Sequence, residues 1–201
     1  MQTKSAQSKP VSQIWKAVEQ LYFNSKRHEA HWLWQNHVQV VANNIARLAD
    51  EYGGNKDLAV IGALLHDNAD VELDRDDIAF EARTRSFIEK FMKEAGYSIA
   101  DFNFVKDEVV DPHSCHSNNL PKTIEGNFLA TADAMAHLKT NFYHEIQHEF
   151  FEGKKTDQQY REWVAKKLNR DFNDKIFFNE IKTEVEPFYK KLLNDFDLNS
   201  Y

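Results

Sequence analysis

The chain has 201 residues, 42% hydrophobic and 28% charged, the balance of a soluble globular protein long enough to bury a full core as one domain. Its formal net charge of −7 opposes a long nucleic-acid groove, which needs clustered Lys and Arg, but leaves small phosphorylated substrates compatible. No apolar run reaches the roughly 20 residues of a membrane span, Met1 to Ser5 carry no apolar signal segment, and a lone cysteine, Cys115, excludes an internal disulfide, so a cytoplasmic protein is expected.

In chain order, Pro10 opens a first helix whose Val11, Ile14, Trp15, Val18, Leu21 and Tyr22 form a core-facing stripe. Ser25 to Trp32 then gathers Lys26, Arg27, His28 and His31 beside an aromatic, a cluster that either holds a phosphate or a base or is a solvated turn. The next helix runs from His37 with Val41, Ile45 and Leu48 on one face, and Gly53-Gly54 stop it. Asn55 caps a further helix with Leu58, Ile61, Leu64 and Leu65 inward, closed by His66-Asp67. The acid-rich run from Asp70 to Asp77 reads as a loop plus a helix cap. Ile78 to Glu94 follows as helix, with Phe87, Ile88, Phe91 and Met92 buried. Ser98 caps another, which turns Ile99, Phe102, Val105 and Val109 to one side and ends at Asp111-Pro112.

The loop from Pro112 to Lys122 carries His113, Cys115, His116, Asn118 and Asn119. His113, Cys115 and His116 cannot easily surround one ion, and no fourth ligand lies nearby, so no zinc site is expected there. From Pro121 to Lys139 a helix directs Ile124, Phe128, Leu129, Ala132, Met135 and Leu138 to the core. Asp133 and His137 stand one turn apart on it, so His137 reads as a partner to that carboxylate or, more readily, as a surface residue. The remainder, Asn141 to Tyr201, is aromatic-rich helix broken at Gly153 and Pro187, without a ligand set. Its stripes pack on the core or on a second copy, so a homodimer stays open. No strand-length alternation occurs, which predicts an all-α fold.

Chemistry concentrates at Leu64-Leu65-His66-Asp67. Adjacent helical side chains point about 100° apart, so such a pair meets at one point only if that point is a shared ion. His37 and Asp133, on other helices, complete a set of two imidazoles and two carboxylates suited to one divalent ion, with Mn, Fe, Mg, Co, Ni and Zn not distinguished.

This arrangement, His37, then His66-Asp67, then Asp133, resembles the H…HD…D signature of the HD superfamily of metal-dependent phosphohydrolases, over about His31 to Leu138. The flanks Asn36 to Val41 and Gly62 to Asp67 match as well. Within the superfamily the chain is most similar to small stand-alone bacterial proteins of the nucleotide-pyrophosphohydrolase kind, on His113-Ser114, Pro121, Glu125 and Ala132-Asp133. It departs from them where they often read Asp-Ala-Asp-Arg, because Thr131 and Ala134 replace the first Asp and the Arg.

The resemblance implies a helical bundle around a buried metal, held by His37, His66, Asp67 and Asp133. It also implies that Asp70, three residues after Asp67, acts beside Asp67 in catalysis as an acid/base, and that His113 faces phosphate or a second ion. His31 and Lys122 are further candidate substrate contacts. The expected activity is metal-dependent hydrolysis of a nucleotide or related phosphorylated molecule, with a nucleoside triphosphate cut to monophosphate and pyrophosphate. A 5′-nucleotidase and a non-catalytic metal-stabilised nucleotide-binding module are the alternatives. The chain is divided into an N-terminal helix over 1–30, a core over 31–139 and a helical extension over 140–201.

Overall fold

The computed structural model describes residues 8–116 and 119–198; Met1 to Ser5 and Asn118 lie outside them. The fold is all-α, with no strand among the described residues. It begins with α1 (Lys9–Phe23), α2 (Glu29–Leu33), α3 (Gln39–Tyr52), α4 (Lys56–Leu65), α5 (Phe80–Glu94) and α6 (Ile99–Phe104). It continues with α7 (Ile124–Lys139), α8 (Phe142–Ile146), α9 (Asp157–Asn173) and α10 (Asn179–Asp195). No helix among the described residues is long and apolar enough to cross a membrane.

Four helix starts among the described residues, those of α4, α6, α7 and α9, follow the capping rules. The Asn55 side chain accepts from Leu58 N at 3.1 Å to begin α4, and Ser98 and Asp101 exchange bonds as a capping box at α6. Between α2 and α3 the chain does not stop but widens into a π turn, Trp34–Val38. Such turns insert a residue into the helical register, and this one carries His37.

The central packing is α3 against both α4 and α7, with Val41, Ile45, Leu48, Ile61, Leu64, Phe128, Leu129 and Met135 buried between them. α4 also lies close to a second π turn, Val105–Val110. Gly62 permits that approach: a Cβ there would meet Val109 Cγ1 at 2.7 Å. α1 covers α4 through Val11, Ile14, Val18 and Tyr22, and the Tyr22 hydroxyl donates to Asp67 O at 3.2 Å. That bond fixes the backbone immediately after α4.

α7 also packs on α8, α9 and α10, which adds the C-terminal helices to the bundle. Thr131 sits at this seam. Its Oγ1 donates to Lys175 O at 3.1 Å and accepts from Phe177 N at 3.2 Å, docking the α9–α10 connection onto α7. The residue that departs from the resembled pattern therefore has a structural task here.

Several sequence expectations shift. Ile99 is 70% exposed rather than inward, because α6 buries no residue and the core-facing side begins at Val105. Ile124, at the first turn of α7, and Phe177 and Phe188 are partly exposed. Pro187 lies inside α10 and does not end it; Val185 and Leu192 are buried on either side of it, so packing holds the helix through the missing N–H.

Thr131→Val should strip a buried N–H and C=O of their partner. It should lower stability by about 1–3 kcal/mol in urea unfolding; an unchanged midpoint would remove Thr131 from the docking role.

Candidate metal centre

The end of α4 explains why adjacent residues can converge. Leu65 closes the helix, His66 keeps helical angles, and Asp67 at φ −117° and ψ 18° leaves them. The π turn brings His37 from the neighbouring helix, and α7 brings Asp133 from the third. His66 Nδ1 lies 2.8 Å from Ala63 O, the geometry of an N–H donated to a carbonyl, which turns the Nε2 lone pair to the centre.

His37 Nε2 lies 3.2 Å from His66 Nε2, 3.3 Å from Asp67 Oδ2 and 3.3 Å from Asp133 Oδ1. His66 Nε2 lies 3.2 Å from Asp67 Oδ2 and 3.8 Å from Asp133 Oδ1. Ligands around one ion at bonds of about 2.1 Å stand about 3.0 to 3.4 Å apart, so all of these separations but the 3.8 Å one fit a shared divalent ion. The chemistry agrees: two imidazole nitrogens facing each other at this distance, amid two carboxylates and all 4% exposed or less, are groups that a cation satisfies together.

The electrostatics express the same charge. Burial disfavours a charged His66, but the carboxylates of Asp67 and Asp133 outweigh it and push the ring up to about 10. Burial would likewise raise Asp67, yet Arg75 and His66 hold it well below the usual carboxylate range. Burial would raise Asp133 too, yet its neighbours, the Lys175 ammonium among them, hold it well below the same range.

The remaining predicted residues divide. His113 lines the cavity edge-on to the His66 ring, with its Nδ1 2.5 Å from Val110 O; burial lowers it to about 3. His66, Asp67 and His113 also form a second group close enough to share an ion. Asp70 is 1% exposed and lies beneath Arg75 instead of on the cavity wall, with the guanidinium bonded to both of its oxygens and, at 2.5 Å, to Asp67 Oδ2. Burial, partly offset by Arg75, raises Asp70 to about 6.

His31 and Lys122 are corrections. His31 is exposed, bonded to Phe23 O at 3.0 Å and stacked edge-on to Phe23, and neither residue lines the cavity. Closeness to His37 in sequence did not carry across the helix, because His31 projects from α2 to its outer side. Cys115 is buried with its Sγ toward His113 O, outside the cavity wall.

His137 is the opposite case, being 4% exposed instead of a surface residue. Its ring stacks parallel on His37, Nε2 stands 3.5 Å from Asp133 Oδ1, and Nδ1 bonds Asp171 Oδ2 at 2.9 Å. Asp171 also accepts from the Tyr143 hydroxyl at 2.6 Å and is fully buried. Burial lowers His137 to about 4 against the pull of Asp133 and Asp171. This carboxylate–histidine pair orients the ring toward Asp133.

Sequence reasoning missed Asp171, Lys167, Arg170 and Lys175. One signal existed: Tyr160, Val164, Leu168 and Asp171 continue a single buried stripe of α9, so a carboxylate occupies a core position. Of the missed residues, Lys167, Arg170 and Lys175 line a cavity of about 1040 Å³ together with His37, His66, Asp67, Asp133, His113 and His137 and with the rings of Phe142, Phe151 and Trp163.

Compared with known proteins, residues 34–138 match the family model described as HD domain. No curated protein and no solved structure matches the chain.

Asp67→Ala should lower bound divalent metal and erase the rise in melting temperature that metal gives, because binding to the folded state is linked to folding. Elemental analysis and thermal melts with and without chelator check it; full metal retention would remove Asp67 from the ligand set.

Proposed function

We propose, from the premise that the chain belongs to the HD domain family of metal-dependent phosphohydrolases, that it hydrolyses a nucleotide, cutting a nucleoside triphosphate to monophosphate and pyrophosphate. The observation that carries this reading is the convergence of His37, His66, Asp67 and Asp133 on the wall of a cavity of about 1040 Å³ that cations and aromatic rings also line. A cavity of that size has room for a nucleotide.

In this reading His37, His66, Asp67 and Asp133 hold the ion. When bound, it makes water a competent nucleophile near neutral pH and polarises a phosphoryl oxygen. The protein's own groups do the rest. Asp70 lies off the cavity wall and acts in this reading as a positioning residue, through Arg75, which it holds against Asp67. His113, with Nδ1 engaged at Val110 O, has Nε2 left for substrate or ion. Phe142, Phe151 and Trp163 offer apolar rings to a base.

Cleavage of the internal anhydride is favoured over a terminal ester because several cations line this cavity, more than a single phosphate needs. The 5′-nucleotidase alternative requires orthophosphate from nucleoside monophosphates.

Phosphorus NMR of metal-loaded protein with nucleoside triphosphates should show pyrophosphate and monophosphate. Orthophosphate from monophosphates, with triphosphates untouched, would replace this reading by the nucleotidase one. Separately, Asp70→Asn should keep its metal and lower turnover, because Arg75 loses a charged anchor beside Asp67; unchanged turnover would remove Asp70 from the positioning role.

A further inference from the structure

Charge is distributed unevenly around the cavity. Of the seven acidic residues on its wall, five are Asp74, Asp76, Asp77, Glu81 and Asp111; of the seven Lys and Arg, five lie between Lys154 and Lys175. Lys154 already meets Asp74 at 3.6 Å, so the cations left to draw an anion include Lys167, Arg170 and Lys175 of α9 and the turn after it, outside the matched segment 34–138.

Lys175 is 2% exposed and ion-paired to Oδ2 of Asp133, whereas Oδ1 of the same carboxylate faces His37 and His66. One carboxylate is thus split between the ion site and a buried ammonium. Lys167 Nζ stands 3.3 Å from Asp171 Oδ2 and 3.2 Å from His137 Nδ1. Arg170 places Nη1 2.8 Å from His116 Nε2, has no ion pair among the described residues, and keeps a buried Nε without a hydrogen-bond partner.

Lys167 and Lys175 accordingly meet one carboxylate each, and Arg170 meets none among the described residues. Asp171 already accepts from His137 and Tyr143, and one oxygen of Asp133 belongs to the ion site. The arrangement is short of negative charge on the cavity side, and a buried cation without a compensating anion is costly. We propose that Lys167, Arg170 and Lys175 form a subsite for two linked phosphoryl groups, the pyrophosphate portion of the substrate, beside the ion site. The proposal rests on the phosphohydrolase reading for its place in a reaction but not for its binding test. Thr131 has a part in it, because its bonds to Lys175 O and Phe177 N set the segment from which Lys175 reaches Asp133.

The probe is inorganic pyrophosphate, with inorganic phosphate in parallel, titrated calorimetrically into the full chain carrying one equivalent of Mn(II). Pyrophosphate should bind more tightly than phosphate. Lys167→Gln/Arg170→Gln should weaken pyrophosphate binding about tenfold or more, the scale of lost charged hydrogen bonds, while Mn(II) retained per chain stays at the wild-type level. The charge-keeping pair Lys167→Arg/Arg170→Lys should stay within about threefold, which separates a lost charge from a damaged fold. Wild-type protein that does not bind pyrophosphate, an unchanged affinity in the Gln pair, or an equal loss in the charge-keeping pair overturns the subsite. Failure of the two ideas is distinguishable: pyrophosphate binding through these residues without triphosphate hydrolysis sinks the substrate reading alone, and hydrolysis with unchanged affinity in the Gln pair sinks the subsite alone.

Discussion

Two carboxylates, Asp67 and Asp133, are buried within reach of the same two imidazoles, and the rest of the structure answers to that fact. A carboxylate taken out of water is strongly disfavoured unless a cation or several donors compensate it. The fold supplies part of the compensation itself: Arg75 to Asp67 from the loop after the ligand pair, and Lys175 to Asp133 from the turn after α9. Each of these cations meets a carboxylate that also faces the histidines, so the centre is surrounded by positive charge while its middle keeps converging lone pairs. A divalent ion completes such a set.

That constraint divides the labour along the chain. The π turn before α3, the two residues after α4, and α7 carry the four converging groups, and the mutual packing of α3, α4 and α7 fixes the separations. α1 braces Asp67 through the Tyr22 hydroxyl. The C-terminal helices bring Asp171, which orients His137, and the cations and rings that face the cavity. A chain of net charge −7 thus brings Lys167, Arg170 and Lys175 together on the cavity wall, a local grouping that sequence totals conceal.

What was legible in the sequence follows the same division. His37, His66, Asp67 and Asp133 could be read because each sits in an apolar helical frame whose period announces which side is inward. The all-α class could be read for the same reason. The π turn at Trp34–Val38 could not, since a single inserted residue leaves no periodic trace. His31 was misjudged because proximity to His37 along the chain was taken for proximity in space, and Lys122 because the loop from Pro112 to Lys122 was read as cavity wall along its whole length. Lys175 was invisible for a different reason: its position depends on Thr131, whose importance appears only when the α9–α10 connection is seen docked on α7. Asp171 was visible in principle, as a charge on the buried stripe of α9.

The central claim is that four side chains share one divalent ion. Crystals of the protein grown with Mn(II), measured on both sides of the manganese absorption edge, test it most directly. The account predicts an anomalous peak bounded by His37 Nε2, His66 Nε2, Asp67 Oδ2 and Asp133 Oδ1, with Lys175 still on the far oxygen of Asp133. A well-ordered centre in which these four groups enclose no such peak would contradict it.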